Sequence, residues 1–191
     1  IQSAGQHSGE RSTRELWAKS DSSIHDIVAR ARDNGVKQMI CVGCNLEDSR
    51  LAIDCVKTRE NLYASIGIHP HEAQHHLGED TKAQFTSLLE DGPMNAKIVA
   101  IGECGLDYFY EHSPKEAQIE ILKFQLDLAS KHDLPLIFHV REASSAEQRG
   151  SVFDDFWPIF DGYSGLRGVL HSFTDSQMHL QEALQRGLYV G

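Results

Sequence analysis

Lys97-Ile-Val-Ala-Ile-Gly-Glu-Cys-Gly-Leu-Asp107 joins an apolar run typical of a buried β-strand to a carboxylate, Glu103, directly behind that run. Three other apolar runs, at residues 62–68, 134–138 and 168–170, end in the same way, and the residues that follow them are His69, His139 and His171. The intervals between the four ionisable residues are 34, 36 and 32 residues, about the length of one βα unit. The carboxyl ends of neighbouring parallel strands lie at the same edge of a sheet. The pattern therefore predicts an α/β fold in which the four side chains converge.

Stretches with helical periodicity alternate with these strands, which is typical of a parallel sheet or barrel built from βα units. Ser113-Pro114-Lys115-Glu116 matches a capping box with proline at the first helical position, and Asn45 is predicted to cap another helix. Another helix is predicted to begin after a cap at Ser20 or Asp21. Three more are predicted to cover residues 81–89, 152–160 and 175–186. Residues 1–19 are polar and irregular, and no marked linker follows. Residues 1–191 are therefore predicted to form a single domain.

The composition excludes several classes of protein. The chain has 191 residues, of which 40% are hydrophobic and 24% charged, so it is neither a disordered polar chain nor a collagen-like one. It lacks a long apolar run and an apolar segment behind a basic start, so we predict neither a membrane span nor a signal peptide, and a cytoplasmic location by default. Its net charge is −10. Binding of nucleic acid would therefore depend on cations that the protein binds, because a basic surface is not encoded.

The four cysteines do not form the pattern of a disulfide framework or a zinc site. Cys41-Val-Gly-Cys44 is a CxxC pair, but a second CxxC or CxxH that would complete a tetrahedral site does not occur in the sequence. We interpret the cysteines as structural. Four aromatic residues at helical spacing are likewise predicted to be core residues and not a base-stacking surface: Phe85, Phe153, Phe156 and Trp157.

Three imidazoles and one carboxylate at neighbouring strand ends are ligands that Zn²⁺, Mn²⁺ and related divalent ions prefer. The alternative is that each residue only ends a strand and makes hydrogen bonds. His71, on a loop stiffened by Pro70, adds another imidazole. Arg141 is predicted either to hold a phosphate or carboxylate by two contacts or to form a surface ion pair.

The segment behind Glu103 leaves two interpretations open as well. Asp107 and Tyr108 either face the same site, as substrate contacts or as support for other residues, or belong to a loop. Gly102 and Gly105 indicate a backbone that turns sharply near a crowded site.

Four segments together resemble the motifs of the TatD family of metal-dependent deoxyribonucleases, over roughly residues 24–191. These segments are Gly67-Ile-His-Pro-His71, Ile101-Gly-Glu-Cys-Gly-Leu-Asp-Tyr108, Phe138-His-Val-Arg-Glu142 and Leu170-His-Ser-Phe173. The resemblance implies a TIM-type barrel of the amidohydrolase kind with two divalent ions, usually Mg²⁺ or Mn²⁺, with Zn²⁺ as an alternative. It also implies hydrolysis of phosphodiester bonds in DNA, often from the 3′ end.

The resemblance also implies roles for individual residues. Glu103 matches a carboxylate that bridges two metals, and His139 and His171 match ligands of one ion. His69 matches a histidine that positions or protonates the scissile phosphate. His71, Asp107 and Arg141 are assigned on the same basis to substrate binding or its support. Two ions held in this way fit catalysis in which one activates water and both neutralise phosphate charge.

Two features that the family implies lie outside this sequence, namely an early strand ending in His-x-His and a late acidic ligand. We therefore expect a barrel without its first and last strands here. Two alternatives to a nuclease stay open: an amidohydrolase-like enzyme acting on a small molecule, and a non-catalytic fragment or binding protein with an incomplete metal site. The first is disfavoured because no strand end offers a lysine that could bridge two metals. The sequence leaves the oligomeric state open.

Overall fold

The computed structural model describes residues 23–90, 97–110, 112–144 and 151–191. The strands are β1 Met39–Val42, β2 Leu62–Ile66, β3 Ile98–Asp107, β4 Leu136–Arg141, β5 Gly168–Leu170 and β6 Tyr189–Val190. The helices are α1 Ile24–Asp33, α2 Leu46–Val56, α3 Glu79–Glu90, α4 Lys115–His132, α5 Ser151–Asp161 and α6 Gln177–Gln185, and a 3₁₀ segment covers Pro70–His75.

The chain divides into two compact units, residues 1–39 and 40–191. In the first unit, α1 begins after Ser23, whose hydroxyl accepts the Asp26 N–H at 3.2 Å while the Asp26 carboxylate accepts the Ser23 N–H at 2.8 Å. This reciprocal capping box fixes the start of the helix later in the chain than predicted. The predicted caps Ser20 and Asp21, like the irregular segment 1–19, lie outside the described residues. The single domain stays a prediction.

The six strands form one sheet in the sequential order β1 to β6, and the pairings from β2 to β6 are all parallel. Each of the strands β1 to β5 is thus followed by a helical segment and then by its own neighbour in the sheet, which is the topology of a (β/α) barrel. This order confirms the prediction of consecutive βα units. It also places the ends of β3, β4 and β5 side by side.

The core lies between the sheet and its helices. β3 is buried along most of its length, and α4 packs against it through an apolar face that includes Ile121, Leu122 and Leu126. The four aromatic residues predicted to be core are all buried: Phe85, Phe153, Phe156 and Trp157. Their prediction as core residues is therefore confirmed.

Strand β3 extends further than the apolar run predicts, through Asp107, and β4 extends through Arg141. Glu103 and His139 therefore lie inside strands, whereas the sequence predicted that they lie just behind strands. The register shifts between Gly102 and Cys104, and Gly105 then pairs with His139. A Cβ at Gly105 would lie 1.8 Å from the His139 carbonyl oxygen. The glycine thus allows close approach of β4 to β3, and does not mark the sharp turn that we expected.

The predicted capping box at Ser113 is wrong. Pro114 occupies the N-cap position of α4, and its side chain makes no capping hydrogen bond. The Ser113 hydroxyl instead donates to the His71 carbonyl at 2.8 Å and accepts the Gln74 N–H at 3.1 Å. A tertiary contact therefore uses the group that a local cap would need, and it connects the start of α4 to the 3₁₀ segment. The predicted cap at Asn45 is confirmed, since its side chain accepts the Asp48 N–H at 2.9 Å.

The four cysteines are free thiols, and Cys41 and Cys55 lie with their sulfurs 3.8 Å apart. Burial raises the pKa of Cys44 to about 12, so this thiol is not poised for nucleophilic or redox chemistry. Within the described segments, every helix is too short or too polar to cross a lipid bilayer. The cytoplasmic location stays a prediction.

Candidate metal centre

Three of the predicted site residues meet at the end of the sheet. His69 follows β2, and Glu103 and His139 lie in the neighbouring strands β3 and β4; one ligand atom from each lies within 4.8 Å of the others. We call these three residues the triad. All three side chains are partly buried, so the site is recessed but open to solvent. Convergence at the carboxyl ends of parallel strands brings together residues that are distant in sequence, as the spacing predicted.

Asp107 holds two imidazoles in position. Its Oδ2 accepts hydrogen bonds from Nε2 of His71 at 2.9 Å and Nε2 of His139 at 2.8 Å, while its Oδ1 accepts the N–H groups of Phe109 and Tyr110, both at 2.9 Å. Burial alone would raise the pKa of Asp107, but these hydrogen bonds hold it well below the usual range. The carboxylate is therefore ionised and can only accept.

Asp107 is consequently a positioning residue. Its side chain is fully buried and both oxygens accept hydrogen bonds, which favours the expected supporting role over direct contact with substrate. A part in substrate binding stays a prediction. Tyr108, the next residue, is also buried, and its hydroxyl donates to the Asp155 carboxylate at 2.7 Å. Because β3 continues through Asp107, the Tyr108 side chain is directed into the protein. Contact of either residue with substrate stays a prediction.

The contact between His139 and Glu103 fits a shared cation. Because Nε2 of His139 donates to Asp107, the neutral ring presents a lone pair at Nδ1, and this lone pair faces Oε1 of Glu103 at 3.2 Å. Two acceptors in contact repel unless a proton or a metal cation lies between them. Two ligands about 2.1 Å from a metal, at angles of about 90–109°, lie roughly 3.0–3.4 Å apart. The Asp107–His139 bond is also the usual support of a metal-binding histidine. The residues present therefore fit a divalent ion.

The pKa values of His139 and Glu103 also reflect the contact between these two side chains. Burial lowers the pKa of His139, but hydrogen bonds to Asp107 and Glu103 outweigh burial and raise it to about 9. Burial raises the pKa of Glu103, but the hydrogen bond from His139 and the positive charge of that ring keep it below its ordinary value. In the metal-free protein, a proton on His139 satisfies the carboxylate. A metal that binds here must displace that proton.

His69 presents a different atom to the site. Its Nδ1 accepts the His71 N–H at 3.2 Å, so in the neutral ring the hydrogen resides on Nε2. Burial and the nearby His139 lower the pKa of His69 to about 3, which keeps the ring neutral near pH 7. His69 therefore offers a hydrogen-bond donor, and not a lone pair, as long as this bond is present. A donor of this kind can bind a phosphate oxygen. The role of His69 at the scissile phosphate stays a prediction.

The remaining predicted residues surround the triad. His171 follows β5, and its N–H donates to the Phe138 carbonyl at 2.8 Å, which places it beside β4. Its imidazole is exposed, with Nε2 3.1 Å from the Ser172 hydroxyl. Among the residues with described side chains, the cluster of possible metal ligands consists of the triad and does not extend to His171. Its role as a ligand stays a prediction.

His71 and Arg141 lie on the outer side of the triad. The His71 ring is half-buried between His69 and His112, at ring-centroid distances of 4.4 and 4.5 Å. Arg141 pairs in register with Asp107 across β3 and β4, and its guanidinium lies over the rings of Phe109 and Tyr110. Substrate binding by His71 and Arg141 stays a prediction.

Two glutamines on α4 support the site, and our sequence analysis missed both. Gln125 accepts the Ile68 N–H at 2.8 Å and donates to the Ile68 carbonyl at 3.0 Å, directly before His69. Gln118 accepts the Asp107 N–H at 2.7 Å and donates to the Asp107 carbonyl at 3.1 Å. Both glutamines are buried. Their signal was present in the sequence: two polar residues seven positions apart share the apolar face of a helix.

Comparison with known proteins places this fold and site in a family. The family model for TatD-related DNases matches residues 15–191. Over 182 residues the chain is 34% identical to the protein named deoxyribonuclease Tat-D of Schizosaccharomyces pombe, covering 91% of this chain and 55% of that protein. Over 170 residues it is 32% identical to the 3′-5′ ssDNA/RNA exonuclease TatD of Salmonella typhimurium, covering 87% and 59%. The chain thus spans little more than half the length of these curated relatives.

Solved structures agree with the sequence comparison. The TatD homologue YjjV of Escherichia coli superposes with a TM-score of 0.70 at 26% identity, covering 97% of this chain and 64% of that one. A TatD-family hydrolase of Entamoeba histolytica gives a TM-score of 0.70 at 27% identity, covering 86% and 54%. The likeness confirms the predicted TIM-type barrel fold, of which the six parallel strands form a part. By its sequence, its fold and the residues gathered at the strand ends, this chain belongs to the family of TatD-related DNases.

Proposed function

We propose that the protein hydrolyses phosphodiester bonds in single-stranded DNA, from the 3′ end, with two divalent ions, Mg²⁺ or Mn²⁺. The observation that carries this proposal is the contact of His139 Nδ1 with Glu103 Oε1 at 3.2 Å, supported from behind by Asp107. The names of the relatives from Schizosaccharomyces pombe and Salmonella typhimurium supply the substrate and the direction.

Each residue of the site has a part in this proposal. Glu103 and His139 hold the ions, with His171 as a further ligand on the neighbouring strand. When bound, such ions activate water and neutralise charge on the phosphate oxygens. His69 donates a hydrogen bond from Nε2 to a phosphate oxygen and thereby orients the scissile bond. Asp107 keeps His139 in the tautomer whose lone pair faces the site.

The experiment measures metal content and hydrolysis in the full-length protein and in its Glu103→Gln variant, on single-stranded DNA labelled at either end, with Mg²⁺ or Mn²⁺. Loss of the charge should lower both metal content and activity, the latter by orders of magnitude. Glu90→Gln is the matched control, since Glu90 forms a surface ion pair with Lys131 at 2.7 Å. Wild-type activity in Glu103→Gln would contradict the proposal. Metal binding without hydrolysis of any DNA would favour a non-catalytic binding protein.

A further inference from the structure

Two large aromatic rings are exposed directly behind β3. Phe109 is 39% exposed and Tyr110 49% exposed, although both residues are commonly well buried in folded proteins. The ring of Tyr110 lies nearly parallel to that of the exposed His112, at 12° and a centroid distance of 5.7 Å. We call Phe109, Tyr110 and His112 the aromatic patch.

The two large rings are fixed in place although they are exposed. Oδ1 of the buried Asp107 accepts the backbone N–H groups of both Phe109 and Tyr110. The guanidinium carbon of Arg141 lies 4.3 Å from the Phe109 ring centroid and 4.8 Å from that of Tyr110, within the range of cation–π attraction. Ordering of these side chains is therefore achieved before any ligand binds, which reduces the entropy cost of binding.

The aromatic patch adjoins the triad through His71. The His71 ring centroid lies 5.6 Å from that of Tyr110 and 4.5 Å from that of His112, and 4.4 Å from that of His69 on its other side. One imidazole thus separates the patch from the triad. The distance between the patch and the triad is therefore similar to the distance from a phosphate to the base of the same or the next nucleotide.

A cavity of about 460 Å³ opens beside one member of the patch, His112, and Lys115 also lines it, whereas the rings of Phe109 and Tyr110 do not. Lys115 holds its ammonium 3.8 Å from the Tyr108 ring centroid. Space next to an ordered aromatic surface is what a flat ligand needs in order to stack.

We propose that the aromatic patch stacks an unpaired nucleobase of a nucleic-acid strand whose phosphate lies at the triad. This inference rests on the proposed function and extends it to the part of the substrate that carries no charge. A protein with a net charge of −10 has little general attraction for phosphates, whereas stacking on aromatic rings contributes about 1–3 kcal/mol per base. Arg141 contributes to both base stacking and phosphate binding, because its guanidinium orders the rings and its charge suits the neighbouring phosphate.

Two properties of the substrate follow. In a duplex the faces of each base are covered by its neighbours, so a base must leave the stack before it can contact the patch, and single strands are favoured over duplexes. Stacking does not read the hydrogen-bonding edge of a base. The four bases should therefore be accepted with similar affinity.

The test compares two oligodeoxynucleotides of the same length and phosphate content, one intact and one with a single abasic residue, placed in turn at each of the last positions of the 3′ end. Dissociation constants and kcat/KM are measured for the full-length protein with Mg²⁺. At one position, the abasic residue should weaken binding about 5- to 150-fold, which corresponds to the loss of one stacked base. Tyr110→Leu and Phe109→Leu should reduce this ratio, since they keep apolar bulk without an aromatic face. Tyr110→Phe is the matched control and should preserve it.

The outcomes separate this inference from the proposed function. Absence of hydrolysis for every oligonucleotide would overturn the proposed function, while the binding ratio would still report stacking. Equal binding of intact and abasic strands at all positions would overturn the stacking site even in an active nuclease, and so would an unchanged ratio in both leucine variants. Failure of every oligonucleotide to bind would overturn both.

Discussion

Replacement of Gln125 by leucine should destabilise the protein, because Gln125 satisfies backbone groups next to the site. The substitution leaves the N–H and the carbonyl of Ile68 without partners, and Ile68 is fully buried. An unsatisfied buried polar group costs about 1–3 kcal/mol, so two cost about 2–6 kcal/mol. The apolar leucine side chain recovers up to about 2 kcal/mol of this cost, because it gains more from burial than an amide does. The difference spans about 0–6 kcal/mol, and we expect a net loss near the middle of that range, about 2–4 kcal/mol, in the free energy of unfolding.

The measurement is urea-induced unfolding of wild type and variant, followed by far-UV circular dichroism. Gln181→Leu is the matched control, since Gln181 lies exposed on α6, and it should change stability by less than about 0.5 kcal/mol. Activity of Gln125→Leu should fall under conditions where the variant is folded, because His69 follows Ile68 directly. A loss below about 1 kcal/mol in Gln125→Leu would refute the reasoning, since water or a shifted backbone would then satisfy Ile68.

Three further predictions concern the site and the pH dependence of stability. His69→Ala should lower turnover about 10²- to 10⁴-fold while divalent-metal content stays near wild type, and a parallel loss of metal would identify His69 as a ligand. Binding of DNA at physiological salt should require divalent ions, and tight binding in excess EDTA would reveal a basic surface. Burial raises the pKa of Asp175, but hydrogen bonds from the Ser176 N–H and from His179 outweigh it and hold the pKa below 3.8. The resulting stability is present above that pH and is lost as the pH falls through the folded-state pKa, so the difference in unfolding free energy between wild type and Asp175→Asn should shrink in acid. A difference independent of pH would contradict this assignment.

The sequence was sufficient to predict the strands, their parallel order and the convergence of His69, Glu103 and His139. Strand order follows from hydrophobic runs and their spacing, and convergence follows from the geometry of parallel sheets. The strand ends were predicted less well, since Glu103 and His139 lie inside β3 and β4. Backbone pairing between neighbours decides where a strand ends, and the side-chain pattern does not record that pairing.

The tertiary hydrogen bonds could not be predicted from the sequence, for a related reason. Ser113 matches a local cap, but its hydroxyl bonds to residues of the 3₁₀ segment, which are distant in sequence. Gln118 and Gln125 bond to strand ends in the same way. A local pattern shows which partners a polar group could find nearby in the chain, whereas the folded structure offers it others.

The four hydrogen bonds to Asp107 also limit which residues this position can tolerate during evolution. Two imidazole N–H groups and two backbone N–H groups converge on one short side chain. Asparagine has a single acceptor oxygen and would place its NH₂ group against donors, while glutamate has both oxygens but adds a methylene for which a fully buried position has no room. Any substitution would release at the same time a metal-site imidazole and the backbone of the aromatic patch. Natural variation should therefore reach position 107 only in chains that have also lost the proposed nuclease activity.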